Sequence, residues 1–151
     1  MAENTNNLMD TEDTQHGKYL SFKIGDEIYG IEISSVIEIV SIQPVTFVPH
    51  VPEYVKGIIN LRGKVVPVID IRLKFNKSAR DYDERTSIII LEVNEIVFGI
   101  IIDRVSDVLN IADEKLVDAL NLKNSLHSTF VKKIANYGDT AILILDSEKL
   151  I

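Results

Sequence analysis

The amino-acid sequence predicts an all-β protein, a small barrel or sandwich, from three observations. Apolar residues recur with period two in short runs, turn residues separate those runs, and one stretch of the chain aligns with another farther on. Leu20, Phe22 and Ile24 alternate with Ser21 and Lys23, the pattern of a strand with one buried face. Gly25-Asp26 signals a turn, and residues 28–33 form the return strand of a hairpin. Pro44, Pro49 and Pro52 punctuate a connection, after which residues 55–61 and 65–71 flank Arg62-Gly63-Lys64 as a second hairpin. The polar run NKSARDYDERT, residues 76–86, reads as a loop, and residues 88–93 and 96–102 flank Asn94-Glu95 as a third hairpin. Within residues 113–122, Leu116, Ala119 and Leu120 fall at helical spacing and predict a short helix. Residues 141–145 are a final buried strand.

The internal alignment pairs YGIEISSVIEIVSI (residues 29–42) with FGIIIDRVSDVLNI (residues 98–111) at an offset of 69 residues. A second block pairs Val55-Lys56, Ile58, Asn60 and Asp70 with Val131-Lys132, Ile134, Asn136 and Asp146 at an offset of 76. Both blocks run in the same order, which predicts a duplication over residues 28–75 and 97–151. Each half is then a small barrel of about 60 residues, too small to be stable alone and therefore packed on its twin.

Composition excludes several functions. The 151-residue chain contains no cysteine, so disulfides, zinc ribbons, iron–sulfur clusters and thiol nucleophiles are all excluded. A sequence pI near 4.9 argues against nucleic-acid binding, which needs a basic face. The longest apolar run, Ile96–Ile102, is seven residues and too short to span a bilayer. No basic stretch followed by an apolar one opens the chain, so no secretory signal is expected and the protein is placed in the cytoplasm. The net charge of −7 is concentrated at the start: Glu3, Asp10, Glu12 and Asp13 contribute −4 before the first basic residue. Residues 1–17 are accordingly expected to be a disordered acidic tail preceding a folded unit at 18–151.

No catalytic constellation emerges. His16, His50 and His127 lie at no metal-ligand spacing from one another, so neither a metal nor another cofactor is expected. Phosphate-loop, dinucleotide and nucleophile-elbow motifs are missing. Asp103 and Asp107 flank Arg104 and read as a solvated turn, while Asp70 and Asp146, at equivalent positions after buried strands, read as caps of the turns that follow. Two apolar stretches stand out instead. Ile39 lies off the stripe Ile33, Val36, Ile37 and Val40, and Val108 lies off Ile102, Val105 and Leu109. Part of each must face either a partner or the other half. Arg62, at a hairpin tip beside an apolar strip, is placed to anchor a partner carboxylate. The residues thus describe a duplicated β module built for binding.

Residues 56–72, KGIINLRGKVVPVIDIR, resemble the K-G-x-x-N-L-R-G-x-x-x-P-x-x-D-L-R signature of the CheW family of bacterial chemotaxis coupling proteins. GDEIYGI at 25–31 resembles that family's first hairpin, GIIIDRVSDVL at 99–109 a later segment, and Gly138-Asp139 with residues 143–150 its end. The resemblance implies two intertwined five-stranded SH3-like barrels related by a pseudo-twofold duplication, with short helical turns. It implies a non-catalytic adaptor between the regulatory domain of the histidine kinase CheA and the cytoplasmic tip of methyl-accepting chemoreceptors, recruited to membrane-associated receptor arrays. It places receptor contacts at Leu20, Ile33, Val36, Ile39, Val105 and Val108, lining a groove between the barrels that takes a helical hairpin, and at Glu38 and Arg62, positions tied to receptor coupling. Kinase contacts are assigned to Ile42, Val45, Gly57, Val65 and Leu122. One departure stands out: Lys133 occupies a position where the family commonly has glycine. The alternative is another regulatory module of the same fold, CheV-like or kinase regulatory-domain-like. The first would append a receiver domain and the second would follow an ATPase domain, and this sequence carries neither.

Overall fold

The computed structural model describes residues 15–119 and 129–151. Their alternating apolar runs become eleven strands: β1 (Lys18–Ile24), β2 (Glu27–Glu32), β3 (Val36–Ser41), β4 (Val55–Leu61), β5 (Lys64–Asp70), β6 (Ser87–Val93), β7 (Ile96–Ile102), β8 (Arg104–Asn110), β9 (Leu116–Asp118), β10 (Val131–Tyr137) and β11 (Thr140–Leu145). The described residues also include one helical turn, α1 (Ile71–Lys74), and short 3-10 turns at Ile33–Ser35, Asp113–Lys115 and Ser147–Leu150. Asp70 and Asp146 cap the turns that follow them, as expected: their side chains accept the backbone N–H of Arg72 and Glu148.

The strands form two sheets, ordered β8-β1-β2-β11-β10-β9 and β3-β6-β7-β5-β4. The early β1–β2 hairpin lies among the late strands, and β6–β7 lies among the early ones, so the two halves are intertwined. The joins are the parallel pairs β2–β11 and β5–β7. Gly30 sits opposite Ile144 in the first and Gly99 opposite Val68 in the second. Offsets of 69 and 76 carry one pairing onto the other. Here glycine answers to close approach: a Cβ on Gly99 would lie 2.7 Å from Ile88 Cγ2 and 2.9 Å from Val68 Cγ1, and one on Gly30 would lie 2.9 Å from Ile144 Cδ1.

Three apolar cores follow from the same duplication. A central core takes Leu20, Phe22, Tyr29 and Ile31 from the first half and Ile89, Leu91, Phe98 and Ile100 from the second, each pair 69 residues apart. Ile59, Val66, Val68 and Ile88 fill the other face of the five-stranded sheet, and Ala135, Ile142, Ile144 and Tyr19 fill the corresponding face of the six-stranded one. Strands buried on both faces lose their alternation, which is why Ile88-Ile89-Ile90-Leu91 is a continuous apolar run: Ile88 and Ile90 serve one core, Ile89 and Leu91 the other. An aromatic seam through the central core joins the halves, with ring centroids 5.4 Å apart for Tyr29–Phe75 and 4.9 Å for Phe75–Phe130.

The expected helix at 113–122 is not formed over its described part. Asp113–Lys115 is a single 3-10 turn and Leu116–Asp118 is strand β9, paired with β10 through Val117 opposite Ile134. Leu116 and Ala119 are spaced for a helix, but they turn toward different cores, and the open edge of β10 supplies hydrogen bonds that an isolated turn of helix lacks. The corresponding place in the first half holds only an isolated bridge between Thr46 and Ile58, so the sheets have six and five strands. Of the expected tail, residues 1–14 lie outside the described residues. Gly17 C=O accepts the N–H of Ile111 at 2.8 Å, and His16 Nε2 lies 3.2 Å from Asp113.

The 76–86 segment has no regular structure, yet side chains fasten it. Lys77 pairs with Glu27, and the Tyr82 hydroxyl donates to Asp70 at 2.7 Å. Beside it, Arg72 donates twice to Asp103, Nε at 2.8 Å and NH2 at 2.6 Å, while Gly25 N–H donates to the same carboxylate at 2.7 Å. Burial alone would raise the Asp103 pKa, but hydrogen bonds from Arg72 and Gly25 and the charges of Arg72 and Arg80 outweigh it and hold the carboxyl below its usual range.

Gly99→Ala is expected to destabilise the protein by about 1–3 kcal/mol, read as a lower urea midpoint, because Ile88 and Val68 must shift. Asp103→Asn leaves a largely buried guanidinium without its counter-ion and is expected to cost about 2–3 kcal/mol at pH 7. Because the folded carboxyl is depressed, its contribution is present above the unfolded Asp value of about 3.9 and lost as pH falls through the folded one. The parent should therefore lose more stability than Asp103→Asn below about pH 4, a difference that urea melts across this range measure directly.

Candidate functional site

The apolar residues that stood off their stripes in the sequence are explained by two equivalent β-bulges. On the β3–β6 ladder, Val36 lies opposite Leu91 and Ile39 opposite Ile89, so four residues of β3 match three of β6. On the β8–β1 ladder, Val105 lies opposite Phe22 and Val108 opposite Leu20, with the same extra residue. The insertion turns Val36 and Ile39 to one face, and Val105 and Val108 to its counterpart. Both faces belong to the central core. Val36, Val105 and Ile33 are half-buried against that core, whereas Ile39 and Val108 are 42% and 55% exposed at the sheet edges. Leu20, only 3% exposed, belongs to the core itself and seats Val108 without presenting a surface.

Glu38 faces the other way. It lies opposite Ile90, on the side of the core inside the five-stranded sheet, and pairs with Arg62. Arg62 is carried at the tip of the β4–β5 hairpin with φ +51° and Gly63 with φ +85°, and Asn60 Oδ1 accepts Gly63 N–H at 2.9 Å. The pair overhangs a depression of about 380 Å³ lined by Ile37, Leu61, Val66 and Val97. Most of the Arg62 side chain remains exposed, so it can serve a second carboxylate while Glu38 orients it.

The residues assigned to the kinase are dispersed. Ile42 and Val45 are half-buried against the core of the five-stranded sheet, and Val65 is exposed on β5, on the face opposite Val66 and Val68. Gly57 is buried with φ +145°, and a Cβ there would lie 2.0 Å from the carbonyl oxygen of Thr46. Its glycine is thus required by the Thr46–Ile58 bridge. Leu122 lies outside the described residues, as does His127. Lys133, the position corresponding to Gly57, sits at the matching irregularity of β10. There it lies opposite Asp118 of β9 and forms an ion pair with it at 3.0 Å. The cation is accommodated because the second half has a full strand where the first has a single bridge.

Sequence reasoning overlooked Phe47, 77% exposed, and Val117 and Tyr137, also exposed. A signal existed for Phe47: an aromatic between Thr46 and the proline-rich 49–52 stretch has no strand neighbour to bury it. Among the described residues no group of three or more His, Asp or Glu side chains is placed to hold a metal. Burial pushes the Tyr29 and Tyr82 phenols up, aided by hydrogen bonds to Glu27 and Asp70, so neither is a nucleophile at neutral pH.

Comparison with known proteins agrees with this arrangement. The CheW-like domain model matches residues 18–151. The chemotaxis protein CheW of Klebsiella aerogenes is 37% identical over 134 residues, covering 89% of this chain and 81% of the relative. That of Treponema pallidum is 32% identical over 135 residues, covering 87% and 79%. The crystal structure of the scaffolding protein TtCheW from Thermoanaerobacter tengcongensis superposes with a TM-score of 0.81 at 34% identity, covering 86% of this chain and 88% of that one. With the intertwined sheets, the paired bulges and the central signature all within the matched region, the chain belongs to the CheW family.

Proposed function

We propose that this CheW-type chemotaxis scaffold acts without catalysis as the coupling element between the cytoplasmic tip of methyl-accepting chemoreceptors and the regulatory domain of the histidine kinase CheA. The observation that carries the reading is the pair of equivalent apolar strips, Val36 with Ile39 and Val105 with Val108, each displayed by a bulge at the edge of the shared core. Residues that pack inward at one end and stand in solvent at the other suit an amphipathic helical partner, whose apolar stripe covers them. Glu38 and Arg62 supply a charged element beside the strip on β3. The kinase contact is assigned to a separate surface around the exposed Val65 on β5. Among the described residues no helix is long and apolar enough to cross a membrane, and the proposed setting is the cytoplasm, with recruitment to receptor arrays through these contacts.

Ile39→Asp and Val108→Asp are each expected to weaken capture of a receptor cytoplasmic fragment by at least tenfold, because a charge would be desolvated against the partner helix. Both side chains are partly exposed, so the melting temperature should move by no more than about 2–3 °C. Arg62→Glu should have the same effect on receptor capture. Unchanged binding in all three folded variants would remove the receptor assignment. Val65→Asp is expected to reduce affinity for the purified CheA regulatory domain at least tenfold while leaving receptor capture intact, and Ile39→Asp to do the reverse. Calorimetric titration of each variant with each partner separates the two surfaces.

A further inference from the structure

The end of the β1–β8 ladder holds an arrangement that neither the fold nor the coupling surfaces require. Lys23 lies directly opposite Arg104. Side chains so placed have Cβ atoms only about 5 Å apart, and like charges there are destabilising. Both are half-buried, which weakens the screening that would make such a pair harmless. The duplication offers a comparison: 69 residues away in the sequence stand Glu92 and Ser35, the latter in the 3-10 turn that precedes β3. The architecture therefore accepts residues that do not repel.

Lys23 and Arg104 line a concavity of about 240 Å³ together with Gly25, Arg80, Arg85, Asp83 and Asp103. Its two carboxylates are already engaged. Asp103 accepts from Arg72, from Gly25 N–H and from Arg80 NH1 at 3.1 Å. Asp83 accepts the N–H of Arg85 at 2.8 Å and of Thr86 at 3.2 Å, and pairs with Arg80 at 3.7 Å. Glu84 borders the adjoining depression. Lys23, Arg85 and Arg104 form no ion pair among the described residues. Three uncompensated cations thus converge on one hollow in a chain whose net charge is −7.

We propose that Lys23, Arg85 and Arg104 form a phosphate-binding site at the end of the β1–β8 ladder. A single carboxylate would neutralise one of the three cations, whereas a phosphate group carries roughly −1.5 to −2 and offers three acceptor oxygens. At about 240 Å³ the hollow is large enough to admit such a group. Arginine is suited to the task because its planar guanidinium can grip two phosphate oxygens at once. The phosphate is either free in solution or borne on a protein side chain, and the same cations would recognise both.

The test is a titration of the isotope-labelled full chain, followed by amide chemical shifts at constant ionic strength, with sodium phosphate and with a phosphoserine peptide. Saturable shifts centred on Lys23, Gly25 and Arg104 are expected, with sodium chloride giving none. Lys23→Glu and Arg104→Ser, the residues that the other half carries, should each raise the dissociation constant at least tenfold. Neither should lower the melting temperature in phosphate-free buffer, since each relieves the repulsion. A phosphopeptide at least tenfold tighter than inorganic phosphate identifies a protein-borne source, and equal affinity identifies the free ion. The proposal is overturned by a lack of saturation with both probes, by unchanged affinity in both variants, or by equal binding of the unphosphorylated peptide.

Discussion

The structure turns on two parallel strand pairings, β2 with β11 and β5 with β7, which tie the first half of the chain to the second. Parallel neighbours need a long connection: residues 33–139 separate β2 from β11, and residues 71–95, with α1 and β6, separate β5 from β7. At both joins a glycine faces a branched side chain, because the backbone must lie where a methyl group would collide with Ile144 or with Val68 and Ile88. The close approach lets each sheet bury both faces, one in its own curl and one in the shared core. Neither half can keep its apolar surface from water without its twin, so the molecule folds as one unit despite its two sheets.

That sharing also shapes the surface. The central core is built from equivalent residues of both halves, and its borders are the edge strands β3 and β8, each carrying a bulge at the same place. A bulge is a local irregularity with a directional result: it turns two apolar side chains to one face where strict alternation would have split them. The inner member of each pair is held by the core and the outer one stands at the edge. An apolar strip built in this way is held firmly, since its inner residues are anchored against the central core.

Polar chemistry is confined to ties between elements. Asp103 collects Arg72, Arg80 and the Gly25 N–H, while Asp70 caps α1 and accepts Tyr82. Among the described residues every buried side-chain nitrogen or oxygen has a hydrogen-bond partner. The repelling Lys23 and Arg104 are the exception, and they lie at the surface.

Sequence alone determined the all-β class, the three hairpins, the aspartate caps and the duplication, because strand periodicity, turn residues and repeated blocks are local signals. It also marked Ile39 and Val108 as anomalous. Other features required the fold. The short helix expected from Leu116, Ala119 and Leu120 gave way to a strand, since the edge of β10 offers hydrogen bonds that spacing cannot reveal. The glycine requirement at Gly57 and its replacement by Lys133 became intelligible only once Thr46 and Asp118 were in place beside them. Leu20, assigned to a surface, proved to be core. Which face a strand residue presents depends on register, bulges and what covers the sheet, and those are set by contacts between residues 46 to 92 positions apart, beyond the reach of any local pattern.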